Sequence, residues 1–363
     1  MTRQKGFILF ITFSMLALST ALVSVFMVKG ITHKKLAFGL LEQEQLNQFA
    51  VSSLALGQSF LSVSAEDAQK EGDQKSQDVP AEKSEKKPPV DLTKLLLEKL
   101  LPVLGKPQEI KFIDVKKDFP VVIHLTFFSE AGKININSLY NLVQKKFYDE
   151  GVEGKDRKVF ATWLFDKISK ITGKPSLLGP FTEHMKQRKA PLNDVTELLV
   201  IKEFATCFNQ AVFYEQQPAN LPPDQKNKKI FLTDVFTVSC ENDTIQPWLL
   251  SPSVCALLDI AQKNDKNDIL EKKEEKLDLS SFKQKSDWNT DWDTMLKSLY
   301  GISYDRVPKE IREILATQFS ATVFSVLASV TNENMTVQIF AILKQKRLPD
   351  GAIFYDIIKI YQV

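Results

Sequence analysis

Arg3-Gln4-Lys5-Gly6 is followed directly by Phe7-Ile8-Leu9-Phe10-Ile11, and the apolar run continues to Phe26-Met27-Val28 without a charged residue. As a helix this run is roughly 33 Å long, enough to cross the ~30 Å hydrocarbon core of a bilayer. An ordinary secretory signal has a shorter apolar region and ends in a small-x-small cleavage site. Here the run ends Val28-Lys29 with no such site, so Phe7 to Val28 reads as a membrane-spanning helix. A cleaved secretory signal is the competing reading. Arg3 and Lys5 precede the span, and Lys29, Lys34 and Lys35 follow it, so the positive-inside rule is nearly balanced. Orientation rests instead on the short basic leader ending at Gly6. It puts the leader in the cytoplasm and everything after Val28 outside.

The helical signal does not stop at the membrane. No Pro breaks it, and Leu46, Phe49, Ala50, Leu54, Leu56, Phe60 and Leu61 fall on one face. Gln45, Asn47, Gln48, Ser52, Gln58 and Ser59 take the opposite side. A plain anchor has no use for such a stripe, whereas the spine of a globular head does. The expected organisation is a leader at 1–6, a transmembrane and spine helix at 7–64 and a disordered charged linker at 65–90.

Beyond the linker, Asp91 to Leu101 reads as a short amphipathic helix, and Glu109 to Val115 and Pro120 to Phe128 read as strands. Residues 91–137 form the first part of a sheet domain. From 138 to 318 the period turns helical, with candidates at Leu139–Tyr148, Lys155–Thr172, Val195–Phe213, Pro252–Lys263, Asp291–Tyr300 and Pro308–Ala316. One strand, Ile230 to Ser239, interrupts them, and Lys263 to Asp287 is a charged loop. Strands return over 319–363, where Thr331-Asn332-Glu333-Asn334 makes a hairpin turn. The expected class is α+β: a long N-terminal helix packed on an antiparallel sheet, with a large, mostly helical domain inserted into it.

The chain has 363 residues and a net charge of +2 with no basic stripe, which argues against nucleic acid as a partner. Cys207, Cys240 and Cys255 cannot all pair within one chain, and without a C-x-x-C or clustered His a zinc site is not expected. They read as buried thiols, with one disulfide as the alternative. No G-x-S-x-G, H-E-x-x-H, Walker or G-x-G-x-x-G pattern is present, so the sequence offers no active site and is read as non-enzymatic. The best metal candidate is Asp287-Trp288-Asn289-Thr290-Asp291, a D-x-N-x-D opening in which Asp287, Asn289 and Asp291 would be calcium ligands. Trp292 stands where such a loop wants Gly, and Ser298 where it wants a bidentate Glu, so a helix N-cap at Thr290 or Asp291 competes.

Several segments together resemble a known family. Lys5-Gly6-Phe7 looks like a prepilin leader junction, with Gly6 and Phe7 flanking the cut. Glu130-Ala131-Gly132-Lys133-Ile134-Asn135-Ile136-Asn137 resembles an "acidic-x-G-K-x-N-x-N" segment. Asn193 to Ile201 resembles an "E-L-x-x-V" helix, and Phe231 to Val238 with Leu250 to Leu258 resembles a strand and the helix behind it. These are the marks of the minor pseudopilin K family of type II secretion systems. Ile245-Gln246-Pro247 and the single carboxylate near Trp163 depart from its pattern, and the 65–90 linker is extra.

The resemblance implies a non-catalytic subunit at the tip of a periplasmic pseudopilus, anchored in the inner membrane by one span. The implied partners are a prepilin peptidase, other minor pseudopilins and the inner-membrane secretion platform, with methylation among the implied modifications. Most pilin-like subunits carry Glu at the fifth mature residue, where it pairs with a neighbour's N-terminal amine. That position here is Ile11, which suits a tip subunit with no such neighbour, since an unpaired carboxylate in the bilayer is costly. Calcium binding in the insertion is also implied, without a location. The rival readings are a minor pilin of a type IV pilus and a signal-anchored periplasmic enzyme or binding protein.

Overall fold

The computed structural model describes residues 3–62, 100, 103–114, 119–152, 155–215, 229–240, 243–260, 296–297, 300–312, 314–316, 322–332, 335–347 and 353–363. In chain order the elements begin with α1 (Arg3–Leu61), β1 (Pro107–Asp114), β2 (Phe119–Ser129), β3 (Ile134–Asn135), β4 (Tyr140–Asn141) and β5 (Lys146–Phe147). They continue with α2 (Arg157–Thr172), α3 (Leu178–Gln187), α4 (Lys202–Phe208), α5 (Leu232–Val235), β6 (Phe236–Thr237), α6 (Pro252–Leu257) and α7 (Lys309–Arg312). The chain closes with β7 (Val323–Thr331), β8 (Thr336–Arg347) and β9 (Ile353–Gln362). The expected 65–90 linker and nearly all of the Asp91–Leu101 helix lie outside the described residues.

Helix α1 runs 59 residues without a break, about 88 Å at helical rise. By length and composition it can cross a membrane. Its C-terminal third buries Leu46, Ala50, Ser53, Leu54, Gly57 and Leu61, a stripe at spacings of three and four. Phe49 and Phe60 flank the stripe, and Phe60 stacks on Phe127 with ring centroids 5.0 Å apart. Leu56, expected in the stripe, is instead 43 % exposed. Leu56 lies off the line through Leu46, Ala50, Ser53, Gly57 and Leu61 that faces the sheet, where a Cβ on Gly57 would make ordinary van der Waals contact with Val326 Cγ1 at 3.4 Å. Gln58, expected on the solvent side, is half-buried and donates from Nε2 to the Tyr355 carbonyl at 2.9 Å.

The main sheet has the order β1-β2-β7-β8-β9, antiparallel throughout. Alternation sorts its side chains. Ile123, Leu125 and Phe127, Phe324, Val326, Ala328 and Val330, and Ile339, Ala341 and Leu343 form one core with α1. On the opposite face Phe128, Val323, Leu327, Phe340 and Ile342 form a second cluster, covered by Phe213, Tyr214 and Tyr361. His124, Ser329 and Gln338 occupy the other end of that face and are half-buried. Only part of the second face is therefore apolar, and that part is where the chain between β2 and β7 lies.

Strands β2 and β7 are neighbours in the sheet, with Ser129 opposite Phe324, so the chain from 130 to 322 leaves and re-enters at adjacent strands. The Phe60–Phe127 stack puts this exit beside the C-terminal end of α1, while Asn332, past the end of β7, donates to Glu42 nearer the N-terminal apolar run. The excursion has its own core, centred on Phe160, Leu164, Phe165, Phe181, Phe204 and Phe236. Phe165 contacts Phe181, Phe204 and Phe236 at centroid distances of 5.3, 5.8 and 6.4 Å.

Several local expectations are corrected there. Leu139 to Tyr148 is a β4–β5 hairpin, with Tyr140 opposite Phe147. The Asn141 side chain accepts from the Val143 and Gln144 amides at 3.0 Å each, a local turn that outcompetes the helix. Val195 to Phe213 is not one helix. A 3-10 segment, Val195–Val200, breaks at extended Ile201 before α4 begins. Ile230 to Ser239 is a single helical turn, α5, followed by the two-residue strand β6. Helix α3 escapes a periodicity reading because Gly179 and Pro180 sit in it, but Pro in a first turn breaks no intrahelical hydrogen bond.

Candidate functional site

Gly6, Phe7 and Ile11 lie in the first turns of α1. Asp287, Asn289 and Asp291 lie outside the described residues, and among the described residues no group of three His, Cys, Asp or Glu side chains is placed to hold a metal. Cys207 and Cys255 are thiols, and burial pushes the Cys255 thiol up to about 12.

The feature that joins sheet to excursion is the Glu130–Asn137 segment. It turns through a 3-10 segment, Glu130–Gly132, before pairing as β3 with β6 in parallel. Gly132 is required by close approach, since a Cβ there would lie 1.6 Å from the Leu249 carbonyl oxygen. Lys133 is fully buried between the aromatic rings of Phe128 and Phe340, with Nζ 5.9 and 5.6 Å from their centroids. It donates to Glu130 Oε1 and, at 3.1 Å, to Ser325 Oγ on β7. Glu130 Oε2 accepts from Thr237 Oγ1 on β6 at 2.6 Å. A buried charge survives only when paired and hydrogen-bonded, and this pair links β7 of the sheet to β6.

The rest of the motif closes the joint. Asn135 accepts from the Asn137 amide and donates to the Cys240 carbonyl at 3.0 Å. Asn137 makes a two-way bond with Leu192, donating to its carbonyl and accepting from its amide at 2.9 Å each. Behind them Asp234 is buried, and its Oδ2 accepts from the Ser253 amide at 2.7 Å. Burial pushes the Asp234 carboxyl up, and Lys133 only partly offsets this. Ser251 donates to the Asp234 carbonyl and accepts from the Val254 amide as the N-cap of α6.

A second joint ties the excursion to the sheet edge. Asp194 caps the Val195–Val200 segment in a capping box with Glu197, whose carboxylate pairs with Arg188 at 2.7 Å. Asp194 Oδ2 also accepts from Lys359 Nζ at 3.2 Å and from the Tyr361 hydroxyl, both on β9. Burial opposes its ionisation, but bonds from Thr196 and Tyr361 and the nearby Lys359 hold the carboxyl below its ordinary value. In the sequence Asp194 and Glu197 belong to the Asn193–Ile201 segment that resembles a helix, and nothing local there points to β9.

These joints use the charged and polar groups as structural fasteners, and they attach a separately cored segment to the sheet that α1 backs. No family model matches the sequence, and no curated protein matches it. In overall structure the chain is similar to a chain of the GspK–GspI–GspJ complex from the type 2 secretion system of enterotoxigenic Escherichia coli, with 13% sequence identity and a TM-score of 0.40, over 90% of this chain and 98% of that one.

Proposed function

We propose that this chain is a non-catalytic subunit of a periplasmic pseudopilus, held in the inner membrane by one span until assembly and placed at the fibre tip. The observation that carries the reading is the make-up of α1. One uninterrupted helix of 59 residues contains an apolar span, a middle stretch and a sheet-backed spine. In the middle stretch Ile31, Leu36, Phe38, Leu40 and Leu41 are exposed, beyond the run that fits a bilayer and before the stripe that the sheet covers. A simple anchor needs only the span, whereas packing against neighbouring helices in a fibre would cover the middle stretch. The excursion leaves the sheet beside the far end of α1, which supports a cap on the fibre tip because a further subunit stacked above it would clash with it. Ile11 agrees with this, having no carboxylate for a neighbour above to neutralise. The other minor pseudopilins, the prepilin peptidase and the secretion platform are the partners of this reading.

N-terminal mass spectrometry tests it. Mature protein should begin at Phe7, and Gly6→Val should leave the precursor uncut. Mature protein starting after Val28, or retaining Met1, would sink the proposal. Crosslinks from Phe38 should reach the N-terminal helix of another minor pseudopilin. Finding the full-length chain repeated along a fibre shaft would reject the tip position alone.

A further inference from the structure

The positive charge on the described surface is not evenly matched. Lys158, Lys167 and Lys229 each sit opposite a carboxylate, Glu150, Asp259 and Glu215, at 2.7, 2.5 and 2.6 Å. Around the β4–β5 turn and the end of α3, several exposed lysines without a carboxylate partner among the described residues come together. Lys145 Nζ donates to the Arg188 carbonyl at 2.6 Å, which brings the turn against the segment that follows α3. Lys145, Lys146, Lys186 and Lys189 are exposed there, and none of them pairs with a carboxylate among the described residues. Arg188 adds a fifth cation, with Glu197 as its partner.

Two apolar side chains frame this cluster. Val143 is 93 % exposed and Val200 is 79 % exposed. Val143 lies two residues before Lys145 in the same turn. Val200 follows Glu197 by three residues in a 3-10 segment, where positions i and i+3 eclipse, so it shares the face that meets Arg188. Lys145 itself has φ 54°, a backbone region that disfavours L side chains other than Asn and Asp. The turn thus keeps a lysine where glycine would fit with less strain.

We infer that this surface, with Lys145, Lys146, Lys186 and Lys189 between Val143 and Val200, docks an acidic protein segment that also carries apolar side chains. Charge complementarity selects the acidic partner: four cations without a carboxylate opposite raise a local positive field in a chain whose net charge is only +2. The apolar contacts favour protein over lipid, because basic surfaces that enter a bilayer use Trp, Phe or Leu, and two valines bury little area in it. The site requires no membership in a fibre and stands apart from the assembly role.

The test uses the full chain in phosphatidylcholine nanodiscs and a short fluorescein-labelled peptide of alternating aspartate and valine. Anisotropy should show binding that weakens with added salt, as a screened charge contact must. Lys146→Glu with Lys189→Glu should weaken it at least about tenfold, since like charges then face each other. Val143→Ser with Val200→Ser should weaken it while leaving the salt dependence intact. All four side chains are exposed, so unchanged thermal melting checks that the variants fold. Equal peptide affinity for the native and charge-reversed proteins, or no peptide binding, overturns the inference. So does charge-dependent co-flotation of the nanodiscs with phosphatidylglycerol vesicles in place of peptide binding, which would assign the surface to lipid.

Discussion

Replacing Gly132 with alanine should do far more harm than replacing Gly57, although each adds a single methyl group. At Gly132 the new Cβ would lie 1.6 Å from Leu249 O, 2.4 Å from its carbonyl carbon and 3.0 Å from Leu250 N. All three are backbone atoms, so no side-chain rotation relieves the clash. Either the Glu130–Gly132 turn or the Pro247–Leu249 turn must move, and Gln246 N to Ala131 O at 2.8 Å is among the bonds between them. Overpacking typically costs about 1–3 kcal/mol, and a collision with backbone on both sides belongs at or above ~3 kcal/mol. For a folded unit of a few hundred residues that is a fall in Tm of roughly 6–12 °C, at about 2–4 °C per kcal/mol. At Gly57, inside helix α1, the nearest atom is Val326 Cγ1 on β7 at 3.4 Å, an ordinary contact. There the lower backbone entropy of the unfolded chain should dominate, and Gly57→Ala should stabilise by about 0.4–1 kcal/mol. Differential scanning calorimetry of the two variants in the same detergent reads both signs. Equal shifts, or a Gly132→Ala protein that melts with the native one, would refute the close approach and with it the joint between sheet and excursion.

Three further outcomes are expected. Phe60→Ala should lose about 3 kcal/mol by removing the stack on Phe127, whereas Leu56→Ala should stay within about 0.5 kcal/mol, as thermal melts will show. The Asp194 carboxyl is held below its ordinary value in the fold, so its contribution is fully present above about pH 4 and is lost as pH falls through the folded value. Asp194→Asn should therefore lower Tm at neutral pH, with the gap to the native protein closing in acid; a gap constant across pH would argue against the Lys359 and Tyr361 contacts. If Asp287, Asn289 and Asp291 hold calcium, added calcium should raise Tm in the native protein and not in Asp291→Ala, and an equal response in both would remove that site.

Much of the architecture was legible in the residues because it depends on patterns that need no partner. An uncharged run of bilayer length is apolar all round, and β2, β7 and β8 are short runs rich in Val, Ile and Phe, a composition that reads as strand whatever covers it. Nothing local in Glu130-Ala131-Gly132-Lys133 marks its charged pair as buried, since an (i,i+3) Glu and Lys looks like a solvated pair in any sequence. Burial between Phe128 and Phe340 comes from residues far along the chain, and no local property of Lys133 predicts it. Leu56 failed for a related reason. Periodicity ranks residues by hydrophobicity, but the line of α1 that meets the sheet also runs through Ser53 and Gly57, which such a ranking does not pick out.

The sequence by itself determined the long apolar helix, the spine that continues it and the strands before and after a long excursion, because composition and period act within one element. Tertiary structure alone decided that the excursion folds back over the distal half of the sheet, that Asp194 reaches β9, and that a hairpin replaces the helix expected at Leu139 to Tyr148. Those outcomes turn on which distant groups meet. A hydrogen bond or a buried ion pair gains its energy only when both partners arrive, and neither partner's own neighbours in sequence carry that information.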